Sequence, residues 1–189
     1  ADYAEKFVEV ANKYELDYRL LPAIATVESN GGKNNFRSYN AWVWGNKGFS
    51  SFEEELEKLN EDKLKAQKIE LFFRINRNNA PLADYAEKFV EVANKYDLDY
   101  RLLPAIATVE SSGGKNNFRK YNAWGWGSKG FTSFEEGIEV VGRGLKNNYI
   151  DKGRDTVEEI APIYCPPNYK NWAKSVKQFM IEIERIESK

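Results

Sequence analysis

Glu110 is the side chain of this sequence whose position best suits acid chemistry. It follows Ile106 by four residues and Leu103 by seven, so on a helix its carboxyl group extends an apolar face. Partial burial there and the negative end of the helix dipole both favour the neutral acid and raise the pKa. Such a carboxyl group can protonate a leaving oxygen near neutral pH. The alternative is a solvated glutamate in the last turn of a helix.

The loop that follows Glu110 is basic and aromatic. No other acidic residue occurs before Glu135. Aromatic faces stack on sugar rings, and amide groups can hydrogen-bond to sugar hydroxyls. These features indicate a carbohydrate-binding loop, with aromatic packing beneath the loop as the alternative. The side chains concerned are Lys115, Arg119, Lys120 and Lys129, and among the aromatic and amide residues Tyr121, Asn122, Trp124 and Trp126.

The composition of the 189-residue chain excludes several other chemistries. It contains no histidine, which excludes Ser-His-Asp and Cys-His catalysis and zinc bound through imidazole. The single cysteine, Cys165, cannot form an internal disulfide. With 28 basic and 29 acidic side chains, the net charge of -1 gives no bulk attraction to nucleic acid. We therefore expect no metal, no cofactor and no nucleic-acid partner, and acid–base chemistry by carboxylates, tyrosine or lysine.

A partial internal duplication organises the chain. Residues 1–54 recur as residues 83–136 with six differences. After residue 54 the copies diverge, and only the second is followed by enough apolar chain to complete a domain. We interpret this near-identical partial copy as a mark of an engineered or generated sequence. The predicted organisation is a partial duplicate (1–54), a connector helix with the opening segment of the domain (55–82), and the catalytic domain (83–189).

The first copy repeats the residues around Glu110, but it differs at the position of Gly125. Val43 stands where the second copy has Gly125. A β-branched residue would be strained there if the position needs a positive φ or a close backbone approach. The first copy also lacks the helices that follow the second copy, so we expect its site to be vestigial unless helices of this or another molecule complete it. Its matching residues are Glu28, Ser29, Asn40, Trp42 and Trp44.

Helical periodicity predicts a mainly α fold behind these residues. Residues 85–96 form one apolar stripe of a helix, and a second helix runs from about residue 100 to the glycines at 113 and 114. Capping-box patterns at 133–136 and 156–159 begin two more helices. Residues 114–132 read as an ordered loop or a short irregular hairpin.

Two further helices are predicted from their apolar faces. The last helix closes the core with one face, and the connector helix continues to about Asn76. The final face comprises Trp172, Val176, Phe179, Ile183 and Ile186. The connector face comprises Leu56, Leu59, Leu64, Leu71, Phe72 and Ile75.

Three segments together resemble a known protein family. They are LLPAIATVESSGGK, YNAWGWGSKGF and IYCPPNYKNWAKSV, in this order. They resemble the lysozyme-like peptidoglycan hydrolases of the glucosaminidase and lytic-transglycosylase type. The resemblance covers roughly residues 68–186 and takes KIELFFRINRNNAPL as the opening helix. It implies a lysozyme-like helical domain preceded by a duplicated half-domain, and cleavage of the β-1,4 bond between amino sugars of peptidoglycan.

The resemblance also implies roles for individual residues. Glu110 is then the catalytic general acid, Ser111 helps to position it, and Tyr164 approaches the scissile sugar from the opposite wall of the cleft. A second carboxylate does not stand out, although Glu135, Glu136, Asp151 and Asp155 follow in the sequence, so a single-acid mechanism is favoured. A positioned water or the sugar's own hydroxyl then completes the displacement. The substrate-binding residues implied are Ser111, Tyr121, Asn122, Trp124, Trp126, Tyr164 and Tyr169.

Two other functions remain open at the level of sequence: a catalytically inactive glycan-binding module, and a synthetic scaffold with a lysozyme-like fold. The expected partner is peptidoglycan or a related amino-sugar polymer, with a secreted or cell-wall site of action if the resemblance holds. No apolar run approaches the roughly 20 residues of a membrane-spanning helix, so we expect no membrane insertion. Because both copies would fit the same remaining core, a domain-swapped homodimer is also expected.

Overall fold

The fold is mainly helical, as the periodicity predicts. The computed structural model describes residues 4–13, 19–30, 33–34 and 52–187. No strand occurs within these ranges. None of the helices found there has both the length and the apolarity needed to cross a bilayer.

The chain divides into two compact units, Ala1–Lys63 and Leu64–Lys189. The boundary between them falls inside residues 55–82, the stretch that the sequence assigns to the connector. The first unit contains α1 (Ala4–Lys13), α2 (Leu20–Ser29) and the beginning of α3 (Phe52–Leu71).

The second unit is a set of helices joined by short turns. A π-helical turn, Phe72–Asn76, continues α3, and a 3-10 turn, Pro81–Tyr85, precedes the next helix. Two further 3-10 turns, Ile150–Lys152 and Pro166–Asn168, join later helices. The helices are α4 (Ala86–Tyr96), α5 (Leu102–Ser111), α6 (Phe134–Asn148), α7 (Val157–Tyr164) and α8 (Tyr169–Glu184).

Helix α5 forms the centre of the second unit. Residues 102–108 are all buried, which fits a helix that is apolar on every side. α8 packs against both α5 and α7, and α6 packs against α4. The apolar stripe predicted for α4 is confirmed, since Phe89, Val90 and Ala93 are buried.

The end of α5 determines where the following loop begins. α5 ends at Ser111, and Ser112 adopts a left-handed conformation with φ 55°. The helix therefore ends two residues before the predicted stop at Gly113, and a serine takes the left-handed cap position expected of glycine. The loop 112–133 is ordered by one isolated antiparallel bridge, between Arg119 and Asn122, and by a 2.8 Å hydrogen bond from Phe131 N to Lys120 O.

The two predicted capping boxes form to different extents. At the start of α7, Thr156 and Glu159 make both reciprocal hydrogen bonds, which confirms that prediction. At the start of α6, Ser133 Oγ accepts from Glu136 N at 3.2 Å. The carboxylate of Glu136 instead accepts from Thr132 N and Oγ1, at 2.6 and 2.5 Å, so only half of the predicted box is present.

The apolar face predicted for the connector helix is partly wrong. The helix does continue to Asn76, but Ile75 is 70% exposed and Leu64 is also exposed. Phe72 is buried as predicted, and its neighbour Phe73, which the predicted face leaves out, is buried as well. The wider π turn accounts for the exposure of Ile75, because it changes the spacing of the residues within it relative to an ordinary α-helix.

Candidate functional site

The carboxyl group of Glu110 is held by the indole of Trp172. Glu110 lies in the last turn of α5, and Trp172 lies in the first turn of α8, which packs against α5. Trp172 Nε1 donates a hydrogen bond to Glu110 Oε1 at 2.7 Å. The indole is buried, and a buried indole N–H requires an acceptor. The packing of α8 on α5 therefore fixes the orientation of this carboxyl group.

The surroundings of Glu110 favour its neutral form. Desolvation by the neighbouring groups raises the pKa of Glu110, and the hydrogen bond from Trp172 acts in the opposite direction with a smaller effect. The residue as a whole nevertheless remains exposed to solvent. Glu110 thus combines a raised pKa with access from outside, as a general acid requires.

Four aromatic rings form a wall beside this carboxyl group. We call Trp126, Tyr149, Tyr164 and Trp172 the aromatic wall. The rings of Tyr164 and Trp172 stack with centroids 4.8 Å apart and planes 27° apart. Trp126 lies 5.8 Å from Tyr164, and Tyr149 lies 6.4 Å from each of these two rings. The wall therefore unites the loop, the end of α6, the end of α7 and the start of α8.

The hydroxyl of Tyr164 anchors the loop to α7. Tyr164 Oη donates to the backbone oxygen of Trp124 at 2.6 Å. Burial is the main cause that raises the pKa of Tyr164 well above its ordinary value, and the charge of nearby Glu110 adds to it. Tyr164 consequently stays protonated and keeps this hydrogen bond. Its hydroxyl proton is directed to the loop and not toward a bound sugar.

The loop brings its backbone close to Glu110 at Gly125. Gly125 has φ +60°, and a Cβ built on it would lie 3.0 Å from Glu110 Oε2. Glycine is suited to this position both because it adopts positive φ without strain and because it has no side chain. Position 125 therefore meets both of the conditions under which a β-branched residue would be strained there.

Asn122 lies inside the loop, which corrects its predicted role in contacting a glycan. Its side chain is only 1% exposed. Asn122 Nδ2 donates to Trp126 O and to Lys129 O, each at 2.8 Å, and Asn122 Oδ1 accepts from Trp126 N at 3.0 Å. Both amide protons are therefore used within the loop. Asn122 braces the loop that carries Gly125 and Trp126.

Ser111 and Trp124 are also placed inside the molecule and not on a glycan surface. Ser111 Oγ donates to Ala107 O at 2.8 Å and accepts from Gly114 N at 2.9 Å, so it secures the turn after α5. Trp124 is fully buried, and its Nε1 donates to Leu103 O at 3.0 Å. Ser111 thus holds the turn that follows α5, and Trp124 belongs to the core.

The two remaining predicted residues lie elsewhere in the second unit. The ring of Tyr121 is edge-on to Phe134, with centroids 5.1 Å apart. Tyr169 is exposed and lines a groove of about 490 Å³ along α8 together with Lys170 and Ala173. The lining of this groove includes neither Glu110 nor any member of the aromatic wall. The structure therefore brings Trp126 and Tyr164 together near Glu110, but not Tyr121 or Tyr169.

Sequence reasoning missed two members of this site. The sequence pattern places Trp172 only on the buried face of the last helix, and it does not distinguish Tyr149 from other tyrosines. The signal for Trp172 was its indole N–H, which needs an acceptor when it is buried. Tyr149 sits just after α6, and the sequence pattern contains no comparable signal for it.

Two of the later acidic residues, Glu136 and Asp151, have partners away from Glu110. Glu136 accepts hydrogen bonds from Thr132, and Asp151 Oδ1 pairs with Lys146 Nζ at 3.3 Å. Neither one therefore presents itself as the second carboxylate of a two-acid site. Within the described ranges, no group of three or more Cys, Asp or Glu residues could hold a metal ion.

The vestigial site predicted in the first copy lies largely outside the described residues. Glu28 and Ser29 end α2, but their side chains are outside the description. The other positions of that site, Asn40, Trp42, Val43 and Trp44, lie wholly outside it.

Comparison with known proteins adds no assignment. No protein-family model matches the chain, and no curated protein matches its sequence. The argument for function consequently rests on the geometry around Glu110.

Proposed function

We propose that this protein cleaves β-1,4 bonds between amino sugars of bacterial peptidoglycan, with Glu110 as the general acid. The observation that carries the proposal is an accessible carboxyl group whose pKa is raised by burial and whose orientation is fixed by Trp172. The resemblance of the three sequence segments to peptidoglycan hydrolases supplies the substrate class.

The hydrogen bond from Trp172 suits the step in which Glu110 loses its proton. As the glycosidic oxygen takes the proton, negative charge develops on the carboxyl group. The indole N–H is already 2.7 Å from Oε1, and a hydrogen bond to an ionised acceptor is stronger than one to a neutral acceptor. The donor therefore stabilises the product of proton transfer without further reorganisation.

The second half of the reaction requires no second carboxylate in this proposal. After the leaving oxygen is protonated, either a positioned water attacks the anomeric carbon or the sugar's own hydroxyl does so. The first route gives a reducing end, and the second gives an anhydro sugar. Glu110, now ionised, can accept the proton that the attacking oxygen loses.

The surface of the loop is compatible with an anionic glycan strand. Lys115, Arg119, Lys120 and Lys129 are all exposed, and the stretch between Glu110 and Glu135 contains no acidic residue. Local positive charge favours the approach of a polymer that carries carboxylates, although the whole chain is close to neutral.

The test is digestion of purified peptidoglycan by the wild type and by Glu110→Gln, with the soluble products identified by mass spectrometry. Glu87→Gln is the control, because Glu87 is an exposed acid on α4. We expect the wild type and Glu87→Gln to release muropeptides, and Glu110→Gln to be slower by at least 100-fold, the usual contribution of general acid catalysis. Binding of peptidoglycan by a folded wild type without product release would instead favour the glycan-binding module, and neither binding nor release would favour the scaffold.

A further inference from the structure

The two oxygens of Glu110 have different surroundings. Oε1 accepts the hydrogen bond from Trp172 Nε1, and an indole N–H can only donate. A proton on Oε1 would compete with that donor for the same side of the oxygen. The proton of the neutral acid therefore resides on Oε2.

Oε2 is the oxygen that faces the backbone of Gly125. A Cβ at this position would lie 3.0 Å from Oε2 and 3.6 Å from the carboxyl carbon. The distance to Oε2 is shorter than a comfortable non-bonded contact, whereas the distance to the carboxyl carbon is an ordinary van der Waals contact. The space beside the proton-bearing oxygen is thus open because residue 125 has no side chain.

We propose that Gly125 keeps open the approach of the substrate's leaving oxygen to Oε2 of Glu110, while Trp172 fixes Oε2 as the oxygen that bears the proton. Gly125 accordingly controls access to the acid, since any side chain there would narrow that access. This inference rests on the proposed function, in which Glu110 is the general acid. In the first copy of the duplication, Val43 stands in place of this glycine.

The loop itself provides a matched control for the strain of positive φ. Gly127 has φ +63°, close to the +60° of Gly125, but a Cβ built on Gly127 has nothing within 4 Å. Alanine at either position incurs the cost of a left-handed backbone. Only alanine at position 125 also crowds Glu110.

The experiment compares Gly125→Ala, Gly125→Val and Gly127→Ala by thermal unfolding, by kcat/KM on peptidoglycan, and by NMR titration of the Glu110 carboxyl carbon in the full chain. We expect the two alanine variants to lose similar stability. We expect kcat/KM to fall at least tenfold in Gly125→Ala, further in Gly125→Val, and less than twofold in Gly127→Ala. The pKa of Glu110 should rise in Gly125→Ala but not in Gly127→Ala, because only the methyl group at position 125 displaces water from Oε2.

Failure of this inference is distinguishable from failure of the proposed function. Equal effects of Gly125→Ala and Gly127→Ala on both the titration and the turnover would overturn the inference, even in an active enzyme. A wild type that releases no product would overturn the proposed function, and the NMR titration would still decide whether position 125 controls the surroundings of Oε2.

Discussion

Two influences, burial and the hydrogen bond from Trp172, act in opposite directions on the pKa of Glu110. Burial raises its pKa, whereas the indole donor favours the carboxylate and lowers it, and burial is the larger effect. The balance keeps the acid protonated further toward neutral pH than a solvated glutamate, and it still offers a stabilising contact once the proton has left. These are the two properties that a general acid needs.

Replacing Asn122 should destabilise the loop and disturb the site. In Asn122→Ala the amide that joins Trp126 O, Lys129 O and Trp126 N is lost. Leaving buried polar groups unpaired costs about 1–3 kcal/mol, so we expect the free energy of unfolding, measured by urea denaturation, to fall by about 2 kcal/mol. Asn116→Ala is the control, because Asn116 is exposed in the same loop. Equal stability of the two variants would contradict the bracing role.

The sequence indicates the direction that Glu110 faces on its helix better than the directions that the loop residues face, and the reason is physical. On a helix the period of 3.6 residues fixes the side that a residue faces, so the place of Glu110 follows from Leu103 and Ile106. In the loop 112–133 no such period applies. Whether Asn122 points inward or outward depends on turns with positive φ, such as that at Gly125, and on partners distant in sequence.

At the level of elements, the end of α8 is tied to two other parts of the second unit through Glu184. Lys68 Nζ donates to Glu184 Oε1 at 3.0 Å, and Tyr100 Oη donates to Glu184 Oε2 at 2.9 Å. Arg101 Nη1 also lies 3.3 Å from Oε2. These contacts, led by that with Lys68, lower the pKa of Glu184. Since α8 also supplies Trp172, this network helps to fix the helix that positions the acid.

Glu184→Gln should therefore destabilise the chain in a pH-dependent way. The pKa of Glu184 is lower in the folded state than in the unfolded state, so its contribution is present above its ordinary pKa and is lost as the pH falls below it. Because the group is half exposed, we expect only about 0.5–1 kcal/mol at pH 7. Urea unfolding at about pH 7 and pH 3 measures this, with Glu87→Gln as the control. A loss that is equally large at the acidic pH would contradict the assignment.

Helix α6 approaches its neighbours closely at glycines, and the helix that follows the first copy has no glycine at the positions 82 residues earlier. A Cβ on Gly142 would lie 2.3 Å from Val92 Cγ1, and one on Gly144 would lie 2.3 Å from the ring of Trp126. At the positions 82 residues earlier, α3 contains larger polar side chains. The residues that correspond to Gly137, Gly142 and Gly144 are Glu55, Asn60 and Asp62, all of them buried.

Elements defined by local chemistry were predictable, and those defined by packing were not. The capping box at Thr156 follows from two residues three positions apart and is present as predicted. The π turn at Phe72–Asn76 has no such local signature, so the exposure of Ile75 could not be foreseen. The hydrogen bond from Trp172 of α8 to Glu110 of α5 joins residues far apart in the chain, so no local pattern predicts it.

For the whole molecule, the duplication places one sequence in two environments. LLPAIATVES forms α2 in the first unit and α5 in the second. Ile24 of α2 is 36% exposed, whereas the matching Ile106 of α5 is 0% exposed. Val8 is likewise exposed, while the matching Val90 is buried. The same sequence therefore forms a helix in both units, and at these two positions the apolar side chain is more exposed in the first unit.

We propose that this exposed apolar surface promotes association of the full chain with a second copy. Because residues 1–54 recur as residues 83–136 with six differences, we expect the first copy to compete for the helices that follow the second copy, which would permit exchange between molecules. Removal of residues 1–60 should lower the fraction of dimer, measured by sedimentation velocity over a range of concentrations. If the full chain and the shortened chain are both monomeric at every concentration, the duplicated segment does not mediate association.

The central claim, that the proton of Glu110 is delivered to the glycosidic oxygen, is tested most directly by the pH dependence of peptidoglycan cleavage in the wild type and in Trp172→Phe. A general acid must be protonated, so the rate should fall as the pH rises through the pKa of Glu110. Removing the indole donor removes the hydrogen bond that lowers this pKa, so the fall should move to higher pH in Trp172→Phe even if the maximal rate decreases. A fall at the same pH in both proteins would contradict the claim.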